Sequence, residues 1–90
     1  MIVALLLPDA YGRGGYVRAL LEGDELAVVV RFQLPRSGGE LTLNHRAPAS
    51  DGTAAILAAV RARLEELALD EAQLSELTPR LVAVVSRALL

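Results

Sequence analysis

The chain has 90 residues, a hydrophobic fraction of 53% and a formal net charge of -2, which together predict one small domain over residues 1–90 with no general affinity for nucleic acid. Ordinary domains are about 45–50% apolar, so we expect a second copy, most simply in a dimer, or another protein to cover the surplus. Cysteine and lysine are absent, which excludes disulfides, thiolate nucleophiles, cysteine-type zinc sites and lysine Schiff bases.

The first element is an uncharged apolar run, residues 1–7, that Pro8 ends. Because both alternating sets of its side chains are apolar, the run predicts a strand that is covered on both faces. It is too short to span a bilayer and has no positively charged flank, so neither a transmembrane helix nor a signal peptide is expected. We therefore expect a cytoplasmic protein with no membrane partner.

A glycine-rich stretch, DAYGRGGYVR, follows at residues 9–18. A dinucleotide-binding loop that begins at Gly12 would need glycine or alanine where Val17 stands, and a nucleotide-binding loop of the Walker type needs a lysine. Both templates fail, so the stretch predicts a loop between strands and no cofactor. Its expected role is to deliver Tyr16 and Arg18 to the following strand.

Residues 16–22 fit two interpretations. In one they form a short helix with Gly23 as its C-terminal cap. In the other they pair with the apolar strand 25–34 through a two-residue turn at Gly23 and Asp24. The hairpin is favoured because its register places six apolar residues on one face, in the pairs Leu21 and Leu26, Ala19 and Val28, and Val17 and Val30.

Another strand is predicted after the loop PRSGG, in the segment ELTLNHR at residues 40–46. Its alternating apolar residues are expected to extend the same apolar face. The predicted pairs are Leu34 with Leu41, Phe32 with Leu43, and Val30 with His45.

Helical spacing dominates residues 50–90. Ser50 or Asp51 is predicted to cap a first helix, whose apolar stripe is Ile56, Leu57, Val60, Leu64 and Leu67. Asp70 is predicted to cap a second, short helix, and Thr78 with Pro79 to begin a third. The fold class is thus α+β, with an antiparallel sheet of three or four strands in residues 1–46 packed on one face by two or three helices of residues 50–90.

Catalytic and metal-binding residues are scarce. His45 is the single histidine, and its closeness in sequence to Ser50 and Asp51 is weak support for a catalytic triad, which is defined by spatial geometry. One histidine without cysteine cannot form a transition-metal cluster of the usual kind. We therefore expect no catalytic residue, no metal site and a non-enzymatic protein.

The leading functional hypothesis is a small interaction or oligomerising module that docks through its apolar last helix, its sheet face or both. That helix is apolar almost all round, so part of it needs a cover that this chain does not supply. The residues expected at the partner interface are Leu81, Val82, Val84, Val85, Ala88 and Leu89.

The alternative hypothesis concerns the other face of the sheet, where arginines and one tyrosine are expected to meet. Arginine binds phosphate and carboxylate, and tyrosine stacks on bases, so this face predicts a regulator that binds nucleic acid or another anion. Its residues are Tyr16, Arg18, Arg31, Asn44 and Arg46. A third interpretation is a subunit interface with an apolar centre of Leu20, Ala27 and Val29 and an arginine rim.

Overall fold

The computed structural model describes residues 2–7, 15–33, 39–67, 69 and 71–90. Its strands are β1 (Ile2–Leu6), β2 (Tyr16–Glu22), β3 (Glu25–Gln33) and β4 (Glu40–Pro48), followed by a 3-10 turn at Ala49–Asp51. Two helices complete the described part, α1 (Thr53–Glu66) and α2 (Glu71–Leu89). The four strands form one antiparallel sheet in the order β1-β2-β3-β4. The predicted α+β class is confirmed.

The β2–β3 hairpin has the predicted register. Val17 pairs with Val30, Ala19 with Val28 and Leu21 with Leu26. The turn contains Gly23 with a φ of 60°, a left-handed conformation that glycine adopts without steric cost. A two-residue turn fixes which residues face each other, and period-two apolarity then fixes which face is buried.

The predicted register of β3 with β4 is wrong by two residues. Phe32 pairs with Leu41 and Val30 with Leu43, while His45 lies opposite Val28. A shift of two residues keeps every side chain on its predicted face, because the side-chain period of a strand is two. Both registers place the apolar residues of β4 on the same face, so the sequence pattern could not distinguish between them. The loop residues 34–38 and the predicted pairing of Leu34 lie outside the described residues.

The expectation that β1 is covered on both faces is also wrong. β1 is an edge strand that pairs only with β2 among the described strands. Ile2 is 62% exposed and Leu6 is 78% exposed, because the helices pack on the other face of the sheet. The outer face of this apolar strand is therefore left bare in the described part of the chain.

The core lies between the sheet and the two helices. α2 packs against β1 and β2, and α1 packs beside α2 and contacts β4. The largest fully buried side chains are Phe32, Leu26, Ile56, Leu64, Leu77, Val17, Val28, Val30, Val60, Val84 and Val85. No polar or charged residue is buried in the described part of the chain, so apolar burial is the main stabilising term.

The start of α1 differs from the prediction. Ser50 and Asp51 belong to the 3-10 turn, and Gly52, with a φ of 88°, precedes α1 without a capping side chain. The N–H of Gly52 donates to the carbonyl of Ala49 at 3.2 Å, and the first hydrogen bond of α1 joins the N–H of Ile56 to the carbonyl of Gly52 at 3.1 Å. Ile56, Val60 and Leu64 are buried as the apolar stripe predicted.

The predicted helix boundary at Thr78 and Pro79 is wrong, because α2 continues through Pro79 to Leu89. Proline removes one backbone donor from the helix. On either side of it, Thr78 Oγ1 donates to the carbonyl of Leu74 at 2.7 Å and Arg80 Nη1 donates to that of Glu76 at 2.8 Å. Leu74 and Leu77 before the proline and Leu81 and Val84 after it are buried, so both halves are held by packing in the core. The predicted cap at Asp70 lies outside the described residues.

Candidate protein interaction surface

The outer face is the sheet face turned away from the helices, and it consists of rows that cross the strands. The register aligns one residue of each strand in a row. Three rows cross all four strands, and they are Ile2-Leu20-Ala27-Arg46, Ala4-Arg18-Val29-Asn44 and Leu6-Tyr16-Arg31-Thr42. The predicted register of β3 with β4 would have placed Asn44 beside Arg31 and Arg46 beside Val29, so each β4 residue lies one row away from its predicted row.

The β1 side of the outer face is apolar. We call this surface the apolar patch, and its members are Ile2, Ala4, Leu6, Leu20 and Ala27. The three residues from β1 are exposed, and the two from the inner strands are partly exposed. Val29 lies in the middle of the face and is only 6% exposed. Leu20 and Ala27 belong to the apolar centre that the sequence predicted. The exposed residues of β1 were not predicted to lie beside them.

The β4 side of the outer face is charged, but its charges are paired. Arg46 Nη1 lies 2.9 Å from Glu25 Oε1, and Arg31 forms an ion pair with Glu40. The hydrogen bond that Arg31 donates to Glu40 and the negative charge of Glu40 raise the pKa of the Arg31 guanidinium. Both pairs are solvent-exposed, so they add little stability. They nevertheless occupy two of the three arginines expected to bind an anion.

Arg18 is the third of these arginines, and it lies between the apolar patch and the charged pairs. Its guanidinium carbon is 5.6 Å from the centre of the Tyr16 ring, within the range of a cation–π contact. Its Nε is buried and has no hydrogen-bond partner among the described residues. Arg18 and Tyr16 therefore form a compact stacked pair at the border of the patch.

The residues expected at a helical partner interface are mostly part of the core of this chain. Leu81 is 3% exposed, Ala88 is 2% exposed, and Val84 and Val85 are fully buried. Val82 is 42% exposed and Leu89 is partly exposed. Packing within the chain thus buries four of the six predicted residues and leaves Val82 and Leu89 the more exposed two, while the interface itself stays a prediction.

His45 lies on the helix-facing side of β4, partly exposed. Burial lowers the pKa of its imidazole and the positive charge of Arg63 lowers it further, whereas Asp51 acts in the opposite direction. Ser50 is exposed in the 3-10 turn. Within the described residues, no three histidine or acidic side chains are placed to hold a metal ion, and no helix there is long and apolar enough to cross a membrane.

The two edges of the sheet differ in their protection. At the β4 edge, Arg63 Nη1 donates to the carbonyl of Asn44 at 2.6 Å, and Pro48 ends the strand without an N–H. Charged side chains, proline and covering groups are common devices against edge pairing. The β1 edge, Ile2–Leu6, contains neither a charge nor a proline.

Comparison of the chain with protein-family models, with curated proteins and with solved structures found no match.

Proposed function

We propose that this protein is a small non-enzymatic interaction module whose partner binds at the apolar patch. The observation that carries the proposal is the exposure of Ile2 and Leu6, at 62% and 78%, beside the partly exposed Leu20 and Ala27 of the same face. Contiguous apolar surface of this kind on a soluble domain commonly marks a protein interface.

The composition of the patch and its surroundings fits an interface. Its centre is aliphatic, and the stacked pair of Tyr16 and Arg18 stands at its border. Interfaces are enriched in tyrosine and arginine and depleted of charge in their core. The paired charges of Arg31 and Arg46 lie farther out, where an interface has its polar rim.

The same charges argue against the anion-binding alternative. Three arginines of the described outer face are matched by Glu22, Glu25 and Glu40, so the face has no excess positive charge to attract a phosphate backbone. Two of those acids are in direct ion pairs with arginine. An anionic ligand would have to displace Glu40 to bind Arg31 and Glu25 to bind Arg46.

The test is the native mass of the epitope-tagged chain in an extract of the cells that produce it. The wild type should elute in a complex larger than the 9.6 kDa of one chain. Leu6→Glu places a charge in the patch, and we expect it to weaken that complex at least about tenfold, because an unpaired charge is costly to desolvate in an interface.

Thr42→Glu is the matched control, since Thr42 is exposed on the outer face but lies on β4, outside the patch. This variant should elute as the wild type does, and circular dichroism should show that both variants are folded. Elution of the wild type at the mass of one chain would refute the proposal. Equal disruption by both glutamates would refute the assignment to the apolar patch.

A further inference from the structure

We infer that the partner is a second copy of this chain, joined to the first by antiparallel pairing of the two β1 strands around a two-fold axis at Ala4. The inference rests on the proposed function and makes it specific, because Ile2, Ala4 and Leu6 of the apolar patch then lie side by side with the same residues of the second copy. It joins the two four-stranded sheets edge to edge into one sheet of eight strands.

The unpaired backbone groups of β1 can be identified from the register. The N–H of Leu7 donates to the carbonyl of Gly15 at 2.9 Å, and hydrogen-bonded pairs alternate along an antiparallel ladder. Val3 and Leu5 therefore bond β2 through their pairs with Ala19 and Val17. The backbone N–H and C=O groups of the intervening residues point away from the sheet, and these residues are Ile2, Ala4 and Leu6.

A two-fold axis at Ala4 satisfies all of these groups. Ala4 then exchanges two hydrogen bonds with Ala4 of the second copy, and Ile2 exchanges two with Leu6 at each end. The side chains brought together across the axis are Ile2 with Leu6 on the outer face and Val3 with Leu5 on the helix face. Every cross-strand pair is apolar and no like charges meet, so the strand is complementary to itself in the antiparallel direction.

The difference between the two edges indicates why β1 is the edge that pairs. The β4 edge has an outward carbonyl, that of Asn44, already bonded to Arg63, and charged side chains at Glu40 and Arg46. The described residues contain no comparable protection of β1. A protein that protects one edge and leaves an apolar edge bare is expected to use the bare edge for pairing.

The helices fit the same arrangement. α2 packs against both β1 and β2, and neighbouring strands lie about 4.8 Å apart. Antiparallel pairing around the axis leaves both copies of α2 on the same face of the joined sheet. Each α2 packs on the β1 strand that forms the junction, so the two helices are neighbours across the axis.

The first experiment measures the mass of the purified chain by light scattering between about 1 μM and about 1 mM, together with amide hydrogen exchange at each concentration. We expect a dimer whose dissociation constant is about micromolar, as for a small interface. The amides of Ala4 and Leu6 should become at least about tenfold more protected as the dimer forms, because only strand pairing gives them acceptors.

The second experiment uses cysteine variants, since the chain has no cysteine of its own. Hydrogen-bonded antiparallel partners have Cα atoms about 5.5 Å apart, within the range of a disulfide. Ala4→Cys should therefore oxidise to a covalent dimer at low micromolar concentration. Ala27→Cys, two strands away on the same face, should not, whereas it would if two outer faces stacked on each other.

Ala4→Pro removes an outward N–H without breaking the β1–β2 ladder, so it should give a folded monomer. A dimer without protection of Ala4 and Leu6, or with disulfides at Ala27 in place of Ala4, would overturn the strand pairing. If the purified chain is a monomer at all concentrations, the proposal that the partner is a second copy is wrong. A larger complex in cell extract would in that case still support the proposed interaction module, so the two proposals can fail separately.

Discussion

Arg63 Nη1 on α1 donates a hydrogen bond of 2.6 Å to the backbone oxygen of Asn44 on β4. The contact ties the first helix to the far edge of the sheet and places a positive charge close enough to His45 to lower the pKa of its imidazole. Arg63 thus occupies one outward carbonyl of the β4 edge and also lowers the pKa of His45.

Arg63→Gln should raise the pKa of His45, because it removes the positive charge that disfavours the imidazolium. Burial is the larger cause of the lowered pKa, so the value should remain below that of a free histidine. Asp51→Asn should shift the pKa in the opposite direction. The single histidine makes an NMR titration of the ring unambiguous. Equal pKa values in all three proteins would contradict the geometry.

Stability should fall as the pH is lowered through the histidine range. The folded-state pKa of His45 is lowered. Its contribution to the free energy of unfolding is therefore fully present above the unfolded-state pKa of about 6.5. Below that pH the unfolded chain binds a proton that the folded chain resists, and the contribution declines until the folded pKa is passed. Denaturant unfolding between about pH 7.5 and about pH 5.5 measures this slope. His45→Gln should reduce the slope, and an unchanged slope would assign it to other groups.

Leu77→Ala should lower the free energy of unfolding by about 2–5 kcal/mol, since Leu77 is fully buried on α2 and the substitution leaves a cavity. Val82→Ala on the same helix should cost less than about 1 kcal/mol because Val82 is 42% exposed. Urea unfolding of both variants provides the comparison. If both variants lose the same free energy of unfolding, Leu77 is not more deeply buried than Val82, which would contradict the orientation of α2 in the structure.

Pro79→Ala should raise the free energy of unfolding by about 2 kcal/mol. Proline is about 3 kcal/mol worse than alanine inside a helix, and its smaller unfolded-state entropy returns up to about 1 kcal/mol of that difference. Ser86→Ala in the same helix is the control for adding an alanine, and it should change stability by less than about 0.5 kcal/mol. A loss of stability in Pro79→Ala would mean that the helix is broken at this position, as the sequence suggested.

The wild type should not bind a labelled single-stranded oligonucleotide at low salt, because Glu40 and Glu25 neutralise Arg31 and Arg46. Replacing both glutamates by glutamine releases the arginines and should create weak binding that added salt abolishes. Fluorescence anisotropy at two salt concentrations measures both proteins. Salt-sensitive binding by the wild type that Arg31→Ala weakens would restore the anion-binding hypothesis.

The sequence by itself determined the features that depend on short-range pattern. Gly23 and Asp24 allow a two-residue turn, and this fixes the β2–β3 register from which the central rows of the outer face follow. The helical spacing of Ile56, Val60 and Leu64 likewise identified the buried side of α1. In each case the decisive interactions are separated by only a few residues, so alternation or helical periodicity specifies them.

Other features were decided only by the tertiary structure. A longer loop joins β3 and β4, and their apolar pattern fits two alignments, so the sequence did not determine the register. Packing of residues on both sides of Pro79 keeps α2 continuous through the proline. The sequence pattern of β1 did not predict the order of the strands, because its side chains are apolar on both faces and fit a central strand as well as an edge strand. Its place at the edge, with both helices on one face, leaves Ile2 and Leu6 exposed. Periodicity determines which residues share a face, and only the assembled layers determine whether that face is covered.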